Sequence, residues 1–471
     1  MKVEYHNHIV PGLDVLIGDP SILTPTKDSK KRADFFHIPE GYVYRAIDFY
    51  HEQSGRGDAC RELTRRFEEI LGAIRDNGPE TFELENGTLV SFVKTPPHQQ
   101  LGSKEQAVLA AQYLHEHKHS FDDCIAIMTG SDQLSALAAL ARIDVAHINP
   151  DVYTGRRKVH LPLEQSGLWY SNRKITPKEW GEIFPNELPL RPNEFIEFEI
   201  DDYGQIDHSF QNIGRFDADQ DALVPLKYFH FSAHKFRHIY PKTAGQAMLL
   251  EALLAPPEEI PIVVVSGLFG TGKTFLTAAA GFYGVTVTDS YERIFVCPRD
   301  GALGKEIGFV PGDATEKTLV KAKPIIDNLR EILKITEKDT KEFKESTASL
   351  SGKRDCFNKK VDDYLEKYFE FEPVVFMGGR SLSNSFIVYD EFQDMERYQA
   401  KALLTRIGNG SKIVVSGDPT QVTNPHLNRT SNGLSYSASK LAGKPEAAII
   451  TLTQDEIVRS PAALAIANYF G

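Results

Sequence analysis

Pro261-Ile262-Val263-Val264-Val265-Ser266-Gly267-Leu268-Phe269-Gly270-Thr271-Gly272-Lys273-Thr274-Phe275-Leu276-Thr277-Ala278-Ala279-Ala280 joins an apolar run, a glycine-rich turn and the start of an apolar helix. Its central stretch, Gly267 to Thr274, fits the spacing G-x-x-x-x-G-K-[ST] of a phosphate-binding P-loop. A short buried strand, then the glycine loop, then a helix is the context this motif needs. Successive backbone N–H groups and the helix N-terminus then converge on phosphates. Gly267, Gly270, Thr271, Gly272, Lys273 and Thr274 form the expected nucleotide-binding set. Lys273 is expected to reach the outer phosphates, and the Thr274 hydroxyl to hold Mg²⁺.

A second constellation lies downstream. Phe386-Ile387-Val388-Tyr389 reads as an apolar strand ending in Asp390-Glu391-Phe392-Gln393. An acid at the carboxyl end of a strand beside a P-loop can hold Mg²⁺, usually through water, and this is the role expected of Asp390. Glu391 is placed to activate the attacking water as a general base. A solvated turn is the plainer reading of the pair, but two acids at a strand end suit phosphoryl transfer. A third strand, Lys412-Ile413-Val414-Val415-Ser416, runs into Gly417-Asp418-Pro419-Thr420-Gln421. Gln421 suits a γ-phosphate sensor, and strand order favours this over an ordinary turn of Gly, Asp and Pro. In Asp455-Glu456-Ile457-Val458-Arg459-Ser460-Pro461, Arg459 is a candidate arginine finger. A surface salt bridge explains it equally well.

Together these motifs resemble superfamily 1 helicase motors, and more closely the PhoH-like ATPase family. The resemblance takes in Val296-Cys297-Pro298-Arg299 and Gly304-Lys305-Glu306-Ile307-Gly308-Phe309-Val310-Pro311-Gly312. It continues through Pro324 to Leu329, Phe376 to Leu382, Leu404 to Gly408 and the tail around Arg459, so it spans 239–471. Within it Gln246 matches the family's adenine-recognising glutamine, and its two-sided amide can pair with an adenine edge. The resemblance implies ATP with Mg²⁺, a RecA-like fold, single-stranded RNA as partner and a homo-oligomeric ring, with a hexamer expected.

Composition narrows the partners. A net charge of −12 argues against clamping duplex nucleic acid over a broad basic face. It leaves room for a narrow single-strand channel, where local charge and aromatic stacking carry binding. Lys227-Tyr228-Phe229-His230-Phe231-Ser232-Ala233-His234-Lys235-Phe236-Arg237-His238 is one candidate. Its plainer reading, favoured here, is a strand and loop burying alternate aromatics at a domain junction. No stretch is long and apolar enough to span a bilayer, and MKVEYHNHIVPG lacks an apolar signal core. The four scattered cysteines show no metal-ligand spacing. A reduced, cytoplasmic protein without membrane partner or structural zinc is expected.

Alternating helix and strand signals over 1–148 indicate an α/β domain with a parallel sheet. Residues 149–238 read as a small β-rich connector and 239–471 as the P-loop ATPase domain. Within the latter, 335–370 is charge-rich and read as a helical insertion without strand. The N-terminal part faintly resembles a PIN nuclease domain, which fits a PhoH-like partner. Val15-Leu16-Ile17-Gly18-Asp19-Pro20 matches that family's opening strand and turn, and Asp132 falls where it places an acid. The alignment puts Gly12 at the first catalytic acid, with Asp14 two positions on. Tyr44 and Arg45 fall at a later acid, with Asp48 close by. A divalent-metal cage with these losses lacks charge. The resulting expectation is an RNA-dependent ATPase or helicase whose PIN-like α/β/α domain has lost nuclease activity. The alternatives are an active PIN ribonuclease using Asp14, Asp48 and Asp132, and an ATP-gated assembly scaffold.

Overall fold

The structure is a computed structural model that describes residues 8–18, 20–23, 35–40, 42, 57–77, 81–93, 103–117, 125–129, 132–147, 153–161, 169–170, 174–200, 210–297, 322–337, 350–371, 381–424, 427, 429 and 432–458. Two compact units emerge, Met1–Asp151 with Pro425–Asn432, and Val152–Asn424 with Gly433–Gly471.

The first unit carries β1 (His8–Pro11), α1 (Leu13–Gly18), β2 (Phe35–Pro39), α2 (Gly57–Asn77), β3 (Phe82–Glu83), β4 (Leu89–Val93), α3 (Ser103–His117), β5 (Ile125–Thr129), α4 (Asp132–Leu140) and β6 (Asp144–His147). The sheet order is β3-β4-β2-β1-β5-β6, parallel except for the β3–β4 pair. Leu63, Phe67 and Ile70 recur at helical spacing on α2 and are fully buried. One expectation fails here. Val15 to Gly18 is helical, and the opening strand lies upstream at His8–Pro11. Val15 and Leu16 both donate backbone N–H groups to Gly12 O, at 3.1 and 3.2 Å, which starts a helical turn. Their apolar side chains are buried in either geometry, so composition alone did not separate the two.

In the second unit, β7 (Arg156–Leu161), α5 (Pro177–Ile183), β8 (Phe195–Ile200), β9 (Ile213–Asp217) and β10 (Ala222–Pro225) form a β-rich region, its strands in the order β10-β9-β8-β7. Trp169, Trp180, Phe184 and Phe198 fill its own small core. A reciprocal cap between Thr176 and Glu179 starts α5, with Pro177 in its first turn.

The remainder comprises α6 (Ala244–Leu254), β11 (Ile262–Gly267), α7 (Lys273–Thr286), β12 (Arg293–Cys297), α8 (Lys323–Glu337), α9 (Leu350–Tyr368), β13 (Phe369–Phe371), β14 (Ser385–Tyr389), α10 (Arg397–Leu404), β15 (Lys412–Gly417), α11 (Gly433–Leu441) and β16 (Ala447–Leu452). All six strands run parallel in the order β13-β12-β14-β15-β11-β16. Helices cover both faces, so the central residues of its inner strands are apolar. Val263 and Val265 point into the layer of α6, α7, α8 and α9, while Val264 points into that of α10 and α11. All three valines are fully buried, worth about 1.5–3 kcal/mol each. Within 335–370 the described residues up to Glu337 and from Leu350 to Tyr368 are helical, whereas Phe369–Phe371 pairs in parallel with β12 as an edge strand. Charge in the preceding helix masked this short segment, whose Phe369 packs inward.

Lys412, at the start of β15, is fully buried. Its ammonium donates to Ala252 O and Ala255 O, each at 2.7 Å, closing the end of α6. Burial pushes its pKa down to about 7, with the Arg215 charge acting in the same direction.

Candidate functional site

The carboxyl ends of β11, β14 and β15 lie side by side, and the residues that follow them line one cleft. Phe269, Lys273, Thr274, Asp390, Asp418 and Gln421 are among its walls. Open parallel sheets bind ligands at this edge. Gly270 and Gly272 adopt φ of 90° and 89°, a left-handed conformation that favours glycine. Gly272 caps α7 with no side-chain hydrogen bond, which leaves the helix's first N–H groups for a ligand.

Lys273 Nζ donates to Gly267 O at 2.7 Å and Leu268 O at 3.0 Å, so its charge sits inside the curve of its own loop. Burial lowers its pKa, against the opposing pull of Asp418, Asp390 and Glu391. Thr271 is fully buried, and its hydroxyl donates to Leu268 O at 2.9 Å. It therefore shapes the loop through its side chain, leaving its backbone N–H for the cradle.

Thr274 Oγ1 donates to Asp390 Oδ2 at 3.1 Å, and Ser416 Oγ donates to Asp390 Oδ1 at 2.7 Å. The carboxylate is thus fixed from both sides, by the P-loop helix and by β15. Glu391 follows with φ 55° and ψ 38°, a costly conformation for a residue with a side chain. Its Oε2 accepts from Gln393 Nε2 at 2.6 Å. Gln393, only 1% exposed, uses its other end to accept from Asp418 N at 3.1 Å. A Cβ at Gly417 would lie 2.1 Å from Gln393 Oε1, so a side chain there would displace the Gln393 amide. Asp418 Oδ2 in turn accepts from Gln421 Nε2 at 2.9 Å. Base candidate and sensor candidate are therefore joined through Gln393 and Asp418.

Sequence reasoning did not assign roles to Ser416, Gln393 or Asp418. All three stood inside quoted motifs, and a polar residue at a strand's carboxyl end was the available signal. Gln246 was expected to read adenine. It is buried, its Nε2 donating to Thr271 O at 2.9 Å and its Oε1 accepting from Lys242 N at 2.8 Å. The side chain braces the P-loop, and one amide hydrogen and one lone pair remain for a base.

The tail also reaches the loop. Val458 N donates to Gly270 O at 3.0 Å. Glu456, 4% exposed, accepts from Gly245 N at 2.6 Å, caps its own short turn through Thr453 and pairs with Arg156 at 2.9 Å. Arg459 and Asp48 lie outside the described residues. Asp14 is in α1 and Asp132 opens α4, and their side chains are likewise undescribed. Among the described residues, no group of three or more His, Cys, Asp or Glu is placed to hold a metal ion.

The parallel sheet, glycine loop and helix N-terminus, with an anchored acid beside them, define a P-loop NTPase. Comparison with known proteins narrows the class. The family described as PhoH-like protein matches residues 238–471. Protein PhoH2 of Bacillus subtilis is 30% identical over 334 residues, covering 70% of this chain and 68% of that protein. A PhoH-like protein of Synechocystis is 29% identical over 221 residues, 47% of this chain and 58% of its own. Protein PhoH2 of Thermobispora bispora is 31% identical over 224 residues, 47% and 45% respectively. The chain belongs to the PhoH-like family. No described helix is long and apolar enough to cross a membrane.

Proposed function

We propose that this chain is a cytoplasmic ATP-hydrolysing motor that acts on single-stranded RNA. The observation that carries the ATPase half is the row Thr274–Asp390–Ser416 beside Glu391. A threonine hydroxyl and a carboxylate fixed at hydrogen-bond distance are hard oxygen ligands suited to Mg²⁺. Mg²⁺, when bound, would neutralise phosphate charge. Gly267, Gly270, Thr271 and Gly272 cradle the phosphates, and Lys273 turns from its loop carbonyls to the outer ones. Gln246 offers its remaining amide positions to adenine. Water attacks the γ-phosphorus, its proton passes to Glu391, and the bond to the β–γ bridging oxygen breaks. Gln421 senses the γ-phosphate.

Arg459 stabilises transition-state charge. In a homo-oligomeric ring, with a hexamer as the expected form, it would act on a neighbour. Mixing inactive Arg459→Ala with inactive Glu391→Gln tests this: activity returns only if the finger crosses a subunit boundary. The N-terminal unit serves RNA binding or assembly without cutting RNA, supported by Gly12 at the position of a first acid. The deciding assay is ATP turnover with and without single-stranded RNA. Stimulation is expected, and turnover indifferent to RNA would rule out the motor reading while leaving the ATPase.

A further inference from the structure

Residues 222–250 contain no aspartate or glutamate. At the chain's overall frequency, 65 acids in 471 residues, a stretch of that length would hold about four. The same stretch holds Lys227, Lys235, Arg237 and Lys242, and His230, His234 and His238 besides. In a chain of net charge −12, this is a local reversal of sign.

The folded segment sorts these residues by side. Phe231 and Phe236 point inward and are buried, with ring centroids 5.1 Å from that of Tyr283 on α7. Ser232 Oγ lies 2.6 Å from the Tyr283 hydroxyl, a further tie to the same helix. Lys227, His230, His234, Arg237, His238, Tyr240 and Lys242 face solvent. The two readings of this segment are compatible: the aromatics form the junction core, and the cations form its outer surface. Arg237 is not loose on that surface, since Nε donates to His238 Nε2 at 3.0 Å and Nη1 contacts His234. A guanidinium held between two imidazoles keeps its planar donors in a fixed place. Tyr240, 58% exposed, ends the strip with an aromatic face. On α8, which packs against the 234–236 turn, Asp327 and Glu331 pair within their helix with Arg330 and Lys334.

We propose that this strip, centred on Lys235 and Arg237, is a binding surface for the phosphate backbone of single-stranded nucleic acid. A basic track with an exposed aromatic is the chemistry of sequence-tolerant strand binding. A narrow track also resolves the charge problem, because it needs no broad basic face. The strip is rooted through Phe231 and Phe236 in α7, the helix whose first residue is Lys273. Tyr283 lies ten residues along that helix, about 15 Å from the P-loop. A strand held there is coupled to the nucleotide site through one rigid element. The inference rests on the RNA-motor reading above and identifies where the strand binds.

The test is fluorescence anisotropy of the full chain with a labelled oligouridylate over a salt series, alongside basal ATP turnover. Lys235→Glu/Arg237→Glu should weaken binding at least tenfold and leave basal turnover unchanged. Lys235→Gln/Arg237→Gln, milder for folding, should flatten the plot of log affinity against log salt by about 1.4, roughly 0.7 per lost phosphate contact on a single strand. A purely structural role would not move that slope. If the wild type binds and both variants bind equally with the same slope, the strip is not the surface, and the motor reading survives. If the wild type itself binds no oligouridylate, the motor reading fails and takes this inference with it.

Discussion

Among the described residues two sheets are six-stranded and mainly parallel, and the contacts described in them differ. In the C-terminal sheet Thr274 and Ser416 donate to Asp390 at 3.1 and 2.7 Å, and the Asp418 N–H donates to Gln393 at 3.1 Å. In the N-terminal sheet β1 ends at Pro11–Gly12, and the Gly12 N–H donates to Met128 O at 2.7 Å. The described polar chain of that sheet instead runs across the strands, with His8 Nδ1 2.9 Å from His37 Nε2, and His37 Nδ1 2.7 Å from Ser91 Oγ. Similar architecture does not entail similar chemistry. The edge of a parallel sheet is where a site can be, and side chains there decide whether one exists.

The comparison breaks most easily at Lys273. Lys273→Ala should cut ATP turnover on the order of a thousandfold or more and weaken ATP binding, because no other cation is seated in the loop. Residual turnover above a few per cent, measured by phosphate release, would remove the central assignment of the C-terminal edge. Glu391→Gln should lower kcat by about 10²–10⁴ while ATP binding, followed with a fluorescent analogue, is kept. Wild-type turnover in that variant would transfer the base to another group.

Gln393→Ala sharpens the contrast further, since the residue is 1% exposed and touches Glu391 and the Asp418 backbone at once. We expect kcat to fall about tenfold with KM little changed, as for other groups that orient a reacting side chain. A fall in KM affinity alone would make Gln393 a binding residue.

A smaller effect is expected at the other end of β15. Lys412 is depressed to about 7 in the folded chain by burial, whereas unfolded lysine titrates near 10.4. At low pH both states carry the proton, and its burial cost is present in full. As pH rises through 7 the folded lysine loses its proton first, so stability climbs until the unfolded lysine also titrates. This group alone should add about 1 kcal/mol per pH unit between 7 and 10. Lys412→Met should lose that increment, as read from urea unfolding of both proteins across the range. The smallest effect belongs to the N-terminal edge: with Mn²⁺ and single-stranded RNA, wild type and Asp132→Ala should both show background cleavage. Cleavage that vanishes in the variant would place a working site on both sheets.

The P-loop, Asp390 and Glu391 were legible because their signals are local: an apolar run, then glycines or acids, within a dozen residues. What sequence missed depends on residues far apart. The pairing of Asp390 with Ser416 spans two strands, and nothing near Gln393 announces that it meets Asp418. Val15 to Gly18 has strand-like composition, yet Gly12 O starts a helix there. Phe369–Phe371 is too short for a periodic signal and gains its strand character from β12. Gln246 was legible as polar and near the loop, but its grip on Thr271 was not.

The pairing of Arg156 with Glu456 carries one more consequence. Both side chains are nearly inaccessible, at 9% and 5%, and they join the β-rich region to the turn after β16. Asn193 adds to this by donating to Pro445 O at 2.8 Å. The family match starts at residue 238, beyond both partners from the β-rich region. A fragment beginning there would strand the Glu456 carboxylate without its cation, a loss of about 3–5 kcal/mol for a buried pair. The family match and the buried contacts around Glu456 therefore have different starting points. A fragment that keeps these contacts should begin near residue 152, where the second compact unit starts.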